Sequence, residues 1–179
     1  MGVATFDGLD GTGTPYGGGF GSSDTLTSIP LDLSGDDPKF LSYYVQPQGL
    51  GDPPGIDDLL VVEFKNIDGD WEVVNSHELG VEDPLLPTDS FPPFEFVQPI
   101  IIDDPVFLHE DFQFRFRNFS SRSGGDLWHI DYVRLEETEI TQNNEDLAFT
   151  TLPSNILREF SSVPWLHVQS ELDLSLIHI

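Results

Sequence analysis

Short apolar runs alternate with turn-forming residues along most of this chain. Val3 to Phe6 reads as a first strand, followed by a long glycine-rich loop, Asp7 to Ser23, that contains Gly17-Gly18-Gly19. Thr25 to Ile29 and Leu31 to Leu33 read as one strand broken at Pro30, and Phe40 to Gln46 as an aromatic and β-branched strand. Leu59 to Phe64 runs into Asn66-Ile67-Asp68-Gly69-Asp70, whose Asp-Gly pair signals a hairpin, and Trp71 to Val74 is the return strand. Phe94 to Ile102 follows a proline-rich loop. Asp111 to Phe119 alternates cleanly, with Phe112, Phe114 and Phe116 on one face and Gln113, Arg115 and Arg117 on the other. Leu127 to Leu135 closes the set, placing Trp128, Ile130 and Tyr132 opposite His129, Asp131 and Val133.

About eight strands without helical spacers exclude a parallel α/β sheet and predict an all-β fold. The expected architecture is an antiparallel two-sheet jelly-roll sandwich, of the concanavalin or galactose-binding kind, over residues 1–138. Phe112, Phe114, Phe116, Trp128, Ile130 and Tyr132 are its expected core. Residues 139–173 read as an acidic linker and short irregular tail, with one short helix over 153–160 capped by Ser154 and with Trp165 covering an apolar patch. Residues 174–179, Leu-Ser-Leu-Ile-His-Ile, match one translated frame of the transposon end used in sequencing libraries. They are expected to have no packing role, and the natural reading frame is expected to continue.

Composition narrows the function classes. The 179 residues include 14 Phe, 4 Tyr and 3 Trp, enough for a substantial core. Against 32 Asp and Glu stand 7 Lys and Arg, a net charge of −25. Such a field repels nucleic acid and anionic lipid, which require clustered cations. It suits solubility in a cation-rich medium, cation binding, or a basic partner. Cysteine is absent, which removes disulfides, thiolate catalysis and Cys-based zinc sites. No run approaches the roughly 18 apolar residues of a membrane helix, so membrane insertion is not expected.

Catalytic signatures do not surface: the chain carries no nucleophile elbow, His-Glu-x-x-His, phosphate loop or dinucleotide fingerprint. An enzyme is therefore not expected. Asn66-x-Asp68-x-Asp70-x-Glu72 has alternating oxygen ligands but lacks the glycine and terminal glutamate of a calcium loop, so the hairpin explains it better. Asp7 and Asp131 interrupt the apolar runs of the first and last strands, where a carboxylate needs a partner. A shared calcium ion is one candidate, and Arg115 and Arg117 are the competing partners. Tyr43, Tyr44, Trp71 and Trp128 are candidates for sugar stacking if exposed and for core packing if not. His129 reads as a satisfied strand histidine.

Several segments together resemble a known module: Ala4-Thr5-Phe6-Asp7-Gly8, Asp24 to Ser28, Gln46-Pro47-Gln48-Gly49-Leu50-Gly51, Phe112 to Asn118 and Trp128 to Val133. The chain is similar over residues 3–168 to a jelly-roll module of large secreted Bacteroidetes proteins exported by the type IX, gliding-associated system. More distantly, its Phe-Asp opening and Ile-Asp-x-Val close resemble the MAM domain of adhesion receptors. That resemblance implies a structural cation helped by Asp7 and Asp131, and no catalytic residues; the absent cysteines depart from it. It also implies an extracellular or cell-surface adhesion or structural module whose partners are surface glycans or other surface proteins. The alternative is a carbohydrate-binding module of an extracellular polysaccharide- or protein-degrading enzyme. Deleting residues 174–179 is expected to leave the melting temperature unchanged, and a loss of several degrees would show that this segment packs.

Overall fold

The computed structural model describes residues 3–35, 37–78 and 92–139. The expected helix at 153–160, Trp165 and the terminal hexapeptide lie outside the described residues. Within them the chain forms eight strands and no helix: β1 (Ala4–Phe6), β2 (Gly21–Thr27), β3 (Lys39–Pro47), β4 (Leu59–Lys65), β5 (Trp71–His77), β6 (Glu95–Ile102), β7 (Phe114–Ser120) and β8 (Trp128–Glu136). They pair into two antiparallel four-stranded sheets ordered β1-β8-β3-β6 and β2-β7-β4-β5. Only β4 and β5 are joined as a hairpin within one sheet; every other connection changes sheet. This is the all-β, two-sheet sandwich that the alternation predicts, with a strand order compatible with a jelly roll.

The inner faces supply one core. Leu41, Tyr43 and Val45 of β3, Leu60, Val62 and Phe64 of β4, Phe116 of β7, and Trp128 and Ile130 of β8 are buried together, with Phe6, Ile102 and Phe112 closing the ends. The edge-to-face pair Tyr43–Phe116, at 4.9 Å, ties one sheet to the other, and Phe64–Phe112, at 5.2 Å, packs within the second. The β7 register is as expected: Phe112 and Phe116 are fully buried, and Phe114 packs against the core from its margin.

Tyr132 departs from the expected core. Between the pairs Tyr44↔Asp131 and Ser42↔Arg134, β8 contains one residue more than β3. Tyr132 takes φ 49° in that bulge, and the extra residue moves every later side chain to the opposite face. Val133 and Leu135 therefore pack against the core. Tyr132 lies beside Tyr44, 5.9 Å between ring centres. Regular alternation cannot anticipate such a slip.

Similar irregularities mark the outer strands. β2 carries an extra residue between Ser22 and Thr25, β5 one between Asn75 and Val73, and β6 one around Pro99, opposite Leu41 to Tyr43. The remaining outer strand, β1, has three residues. Pro99 sits where a missing N–H costs no ladder bond, on an outer strand at a bulge. The β4–β5 turn is fixed by Asn66, whose Oδ1 accepts from the backbone N–H groups of Asp68 and Asp70 at 3.1 and 2.9 Å while Gly69 takes φ 91°. The side-chain oxygens of Asn66 and Glu72 are thereby committed to the hairpin.

The outer face of the second sheet buries a carboxylate. Glu63 of β4 is 2% exposed and accepts from Nε of both Arg115 and Arg117, at 2.6 and 3.0 Å. Trp71 stacks under the Arg115 guanidinium at 4.1 Å, and Phe119 under that of Arg117 at 4.5 Å. The two arginines thus pair with Glu63 rather than with Asp7 or Asp131. Burial opposes the charge of Glu63, yet the two guanidinium hydrogen bonds prevail and hold its carboxyl below the usual 4.5. A lowered folded-state pKa stabilises the fold above the unfolded value and is lost as pH falls through the folded one. Glu63→Gln is accordingly expected to cost about 2–3 kcal/mol at neutral pH. In urea melts the gap to the parent should close as the pH drops below 4.5; a constant gap would show that charge is not its source.

Candidate functional site

Aromatic side chains proposed for stacking separate into two groups. Tyr43 is fully buried, so it is a core residue and not a ligand platform. Its hydroxyl is shared with His77 Nε2 at 2.7 Å and receives Asn75 Nδ2 at 3.1 Å. Burial, slightly offset by Asn75, pushes the Tyr43 phenol well above its ordinary range, and burial lowers His77. Trp128, 3% exposed, is likewise core. Trp71 is half-buried beneath Arg115. Tyr44 lies on the outer face of the first sheet between Phe96 at 5.3 Å and Tyr132 at 5.9 Å, a row spanning β6, β3 and β8.

Asp7 and Asp131 are not brought together. β1 does lie beside β8, with Ala4 opposite Ile130 and Phe6 opposite Trp128. In that register Asp7 follows the Trp128 end, while Asp131 lies beyond Ile130 at the other. Four residues of ladder separate their levels, roughly 13 Å of strand, too far for one ion with bonds of about 2.3–2.6 Å. Asp131 Oδ1 instead accepts from the Tyr132 N–H at 2.8 Å, holding the bulge. Asp7 Oδ1 accepts from the Leu9 N–H at 3.0 Å.

The neighbour that Asp7 does have is Asp24. In the β2 bulge, Asp24 donates its N–H to Asn118 Oδ1 at 2.7 Å. Its carboxylate receives the N–H groups of Asp7 and Gly8, both at 2.8 Å, and the Tyr16 hydroxyl at 3.0 Å. That last bond, followed by burial and then the Asp24 charge, raises the Tyr16 pKa. One acid therefore ties the start of the glycine-rich loop to the second sheet. The inner face of β7 becomes polar here: Asn118 is fully buried, and Ser120 hydrogen-bonds Ser23 at 2.8 Å.

At this end of the sandwich three loops converge. Asp52 joins the loop after β3 to the loop before β8: its N–H donates to Gly125 O at 3.0 Å, and its carbonyl accepts from Leu127 N–H at 3.1 Å. Gln48 N–H donates to Leu127 O at 2.8 Å, with Gln48 at φ 67°. Between them lies a cleft of about 430 Å³ whose polar side chains are Asp7, Gln48 and Asp52. Gln48 is 5% exposed, and its Oε1 is buried with no hydrogen-bond partner among the described residues. Beside the cleft, Asp58 is buried; burial, and then Asp126 next to it, push its carboxyl up despite the Gly55 N–H donated at 2.7 Å. A second cleft, sharing Leu50, Gly51 and Leu127, is lined by Thr5, Phe94 and His129. His129 is only half satisfied, with Nδ1 on Thr5 Oγ1 at 2.9 Å and Nε2 buried and unpartnered.

Sequence reasoning missed Asp24, Gln48 and Asp52. Gln48-Gly49-Leu50-Gly51-Asp52 carried a signal, since glycines two apart beside polar residues suggest a backbone pressed against a neighbour. The chain matches no protein-family model and no curated protein. Gly49, at φ 56°, lies so close to His129 that an added Cβ would come within 2.3 Å of Nε2. Gly49→Ala should cost about 2–3 kcal/mol through left-handed strain and the clash. In a double-mutant cycle read by urea melts, His129→Ala should recover part of that loss; strict additivity would show that the imidazole is not the obstacle.

Proposed function

We propose that this chain is a non-catalytic adhesion or structural module of a larger secreted or cell-surface protein. The observation that carries this reading is how its acidic side chains are used. Asp7, Asp10, Asp24, Asp32 and Asp58 each accept backbone N–H groups and so hold loops in shape. The described histidines bond in the same architectural way, His77 to Tyr43, His109 to the Lys65 carbonyl and His129 to Thr5. Hydrolytic chemistry needs a nucleophile, a base and an orienting third group in one place. His129 with Thr5 supplies two, and the far imidazole nitrogen has no orienting partner among the described residues. A net charge of −25 suits a module displayed in a cation-rich medium, and the resemblance to exported surface modules supports the same reading.

A glycan-binding variant of this function is favoured by one feature. The Tyr44–Phe96–Tyr132 row, with the Arg134 guanidinium 5.9 Å from the Tyr132 ring, sets aromatic side chains next to one another on the outer face of one sheet, the kind of surface on which sugars stack. Beads coated with the full chain are expected to be retained on immobilised cell-surface glycan or protein, with no turnover of polysaccharide, peptide or ester substrates. If stacking carries retention, Tyr44→Ala should weaken it by about tenfold on glycan; adhesion through other surfaces would leave it unchanged. Product formation that a single-residue change abolishes would overturn the non-catalytic reading.

A further inference from the structure

A buried polar cluster joins β5 to the first sheet. The bulge in β5 turns Asn75 and His77 inward, opposite Val62 and Leu60 of β4. There both meet the hydroxyl of Tyr43, a fully buried residue on β3 of the other sheet. Each bond has a defined direction. Asn75 Oδ1 accepts from the Ser76 N–H at 2.9 Å, so its Nδ2 is the atom turned to Tyr43 and donates to the hydroxyl oxygen at 3.1 Å. The Tyr43 O–H in turn donates to His77 Nε2 at 2.7 Å. His77 therefore stands in its neutral form with the hydrogen on Nδ1, a nitrogen that has no partner among the described residues and keeps some exposure to water. An added proton must enter at Nε2, facing a hydroxyl that already receives Asn75. The hydroxyl would then accept twice, and its own hydrogen would be left without an acceptor. The ring beside it supplies none: Trp128, 6.4 Å from His77 between ring centres, carries an Nε1–H that is itself buried and unpartnered. Leu60 of β4 is apolar, and Glu78, next in the chain, is exposed. Burial is what acts on the imidazole charge, and it lowers the His77 pKa from the ordinary 6.5.

We propose that His77 is a proton-operated latch: a proton on its imidazole parts β5 from Tyr43, so that this edge strand is held at neutral pH and freed in mild acid. β5 is suited to such release, because it pairs with β4 alone and packs one apolar side chain, Val74, against the core. A histidine whose folded pKa lies below its unfolded 6.5 stabilises the closed strand above 6.5, and that stabilisation is lost as pH falls through the folded value. One proton taken up on opening raises the open fraction about tenfold per pH unit within that window. The Glu63 layer responds only below 4.5, so the two acid responses are separate. The latch does not depend on what the module binds.

Native-state hydrogen exchange of the full chain from about pH 7.5 to about pH 5 tests it. After correction for intrinsic rates, opening of β5 should rise about tenfold per pH unit below 6.5, while the β3–β8 ladder keeps its protection. His77→Gln, whose amide oxygen can still accept from Tyr43, should hold β5 at a level that does not change with pH. His109→Gln should retain the response. If His77→Gln fails to fold, the imidazole nitrogen signals of the parent decide by NMR, with the hydrogen on Nδ1 and a midpoint below 6.5 expected. A flat β5 profile, a response that survives His77→Gln or is lost in His109→Gln, equal acceleration in every strand, or a hydrogen on Nε2 at neutral pH overturns the latch. Those results leave the module reading intact, because that reading fails only on turnover.

Discussion

The carboxylate of Asp24 is the interaction on which the architecture of the loop end depends. A bulge in β2 turns this residue so that its N–H reaches Asn118 on the neighbouring strand while its side chain reaches across to the other sheet. There it fixes two successive N–H groups at the point where β1 ends. The direction in which the glycine-rich loop leaves the sandwich follows from that bond pair, and so does the placement of Leu9 against Gly124, where an added Cβ would come within 2.7 Å of the leucine. The acid that matters most here is thus neither of the two that stand out in the apolar strands.

What alternation makes legible is the period of each strand and the sense of its faces. Phe112 and Phe116, Trp128 and Ile130, and the Asp-Gly hairpin follow from it directly. It does not reveal insertions within a strand, so it places Tyr132 in the core although a single extra residue turns it outward. Tyr43 and Tyr44 are adjacent and chemically alike, and only the register of β3 decides that one fills the core and the other joins an outer row. The adjacency of β1 and β8 is legible from topology, but their offset is not, and that offset separates Asp7 from Asp131. Gln48 and Asp52 escape because their roles lie in bonds to a loop about 75 residues further along the chain, which no linear pattern records.

Charge is distributed with a division of labour. Two of the seven basic residues are committed to one buried glutamate in the middle of a sheet face, where aromatic rings cover the guanidinium planes. That arrangement makes an internal ionic layer out of residues that composition alone would assign to solvent. Elsewhere among the described residues many acids accept from backbone N–H groups and from hydroxyl or amide side chains, and Lys39 pairs with Glu137 at 3.5 Å. Loops rich in aspartate and glycine serve this purpose, because a short carboxylate can cap its own turn while glycine takes the backbone angles that the turn requires.

The irregular outer strands have a consequence for life at high density. An exposed strand edge is a template on which another chain can add, and a flat edge invites fibre-like stacking. Here β2, β5 and β6 are each interrupted by an extra residue, β6 also carries Pro99, and β1 is too short to offer a continuous row of donors. Copies of such a domain can be crowded side by side, or strung along one polypeptide, without their sheets fusing. Strong mutual repulsion from a net charge of −25 acts in the same direction at long range and weakens with salt. In concentrated brine, or with divalent ions present, the broken edges would remain as the barrier to polymerisation.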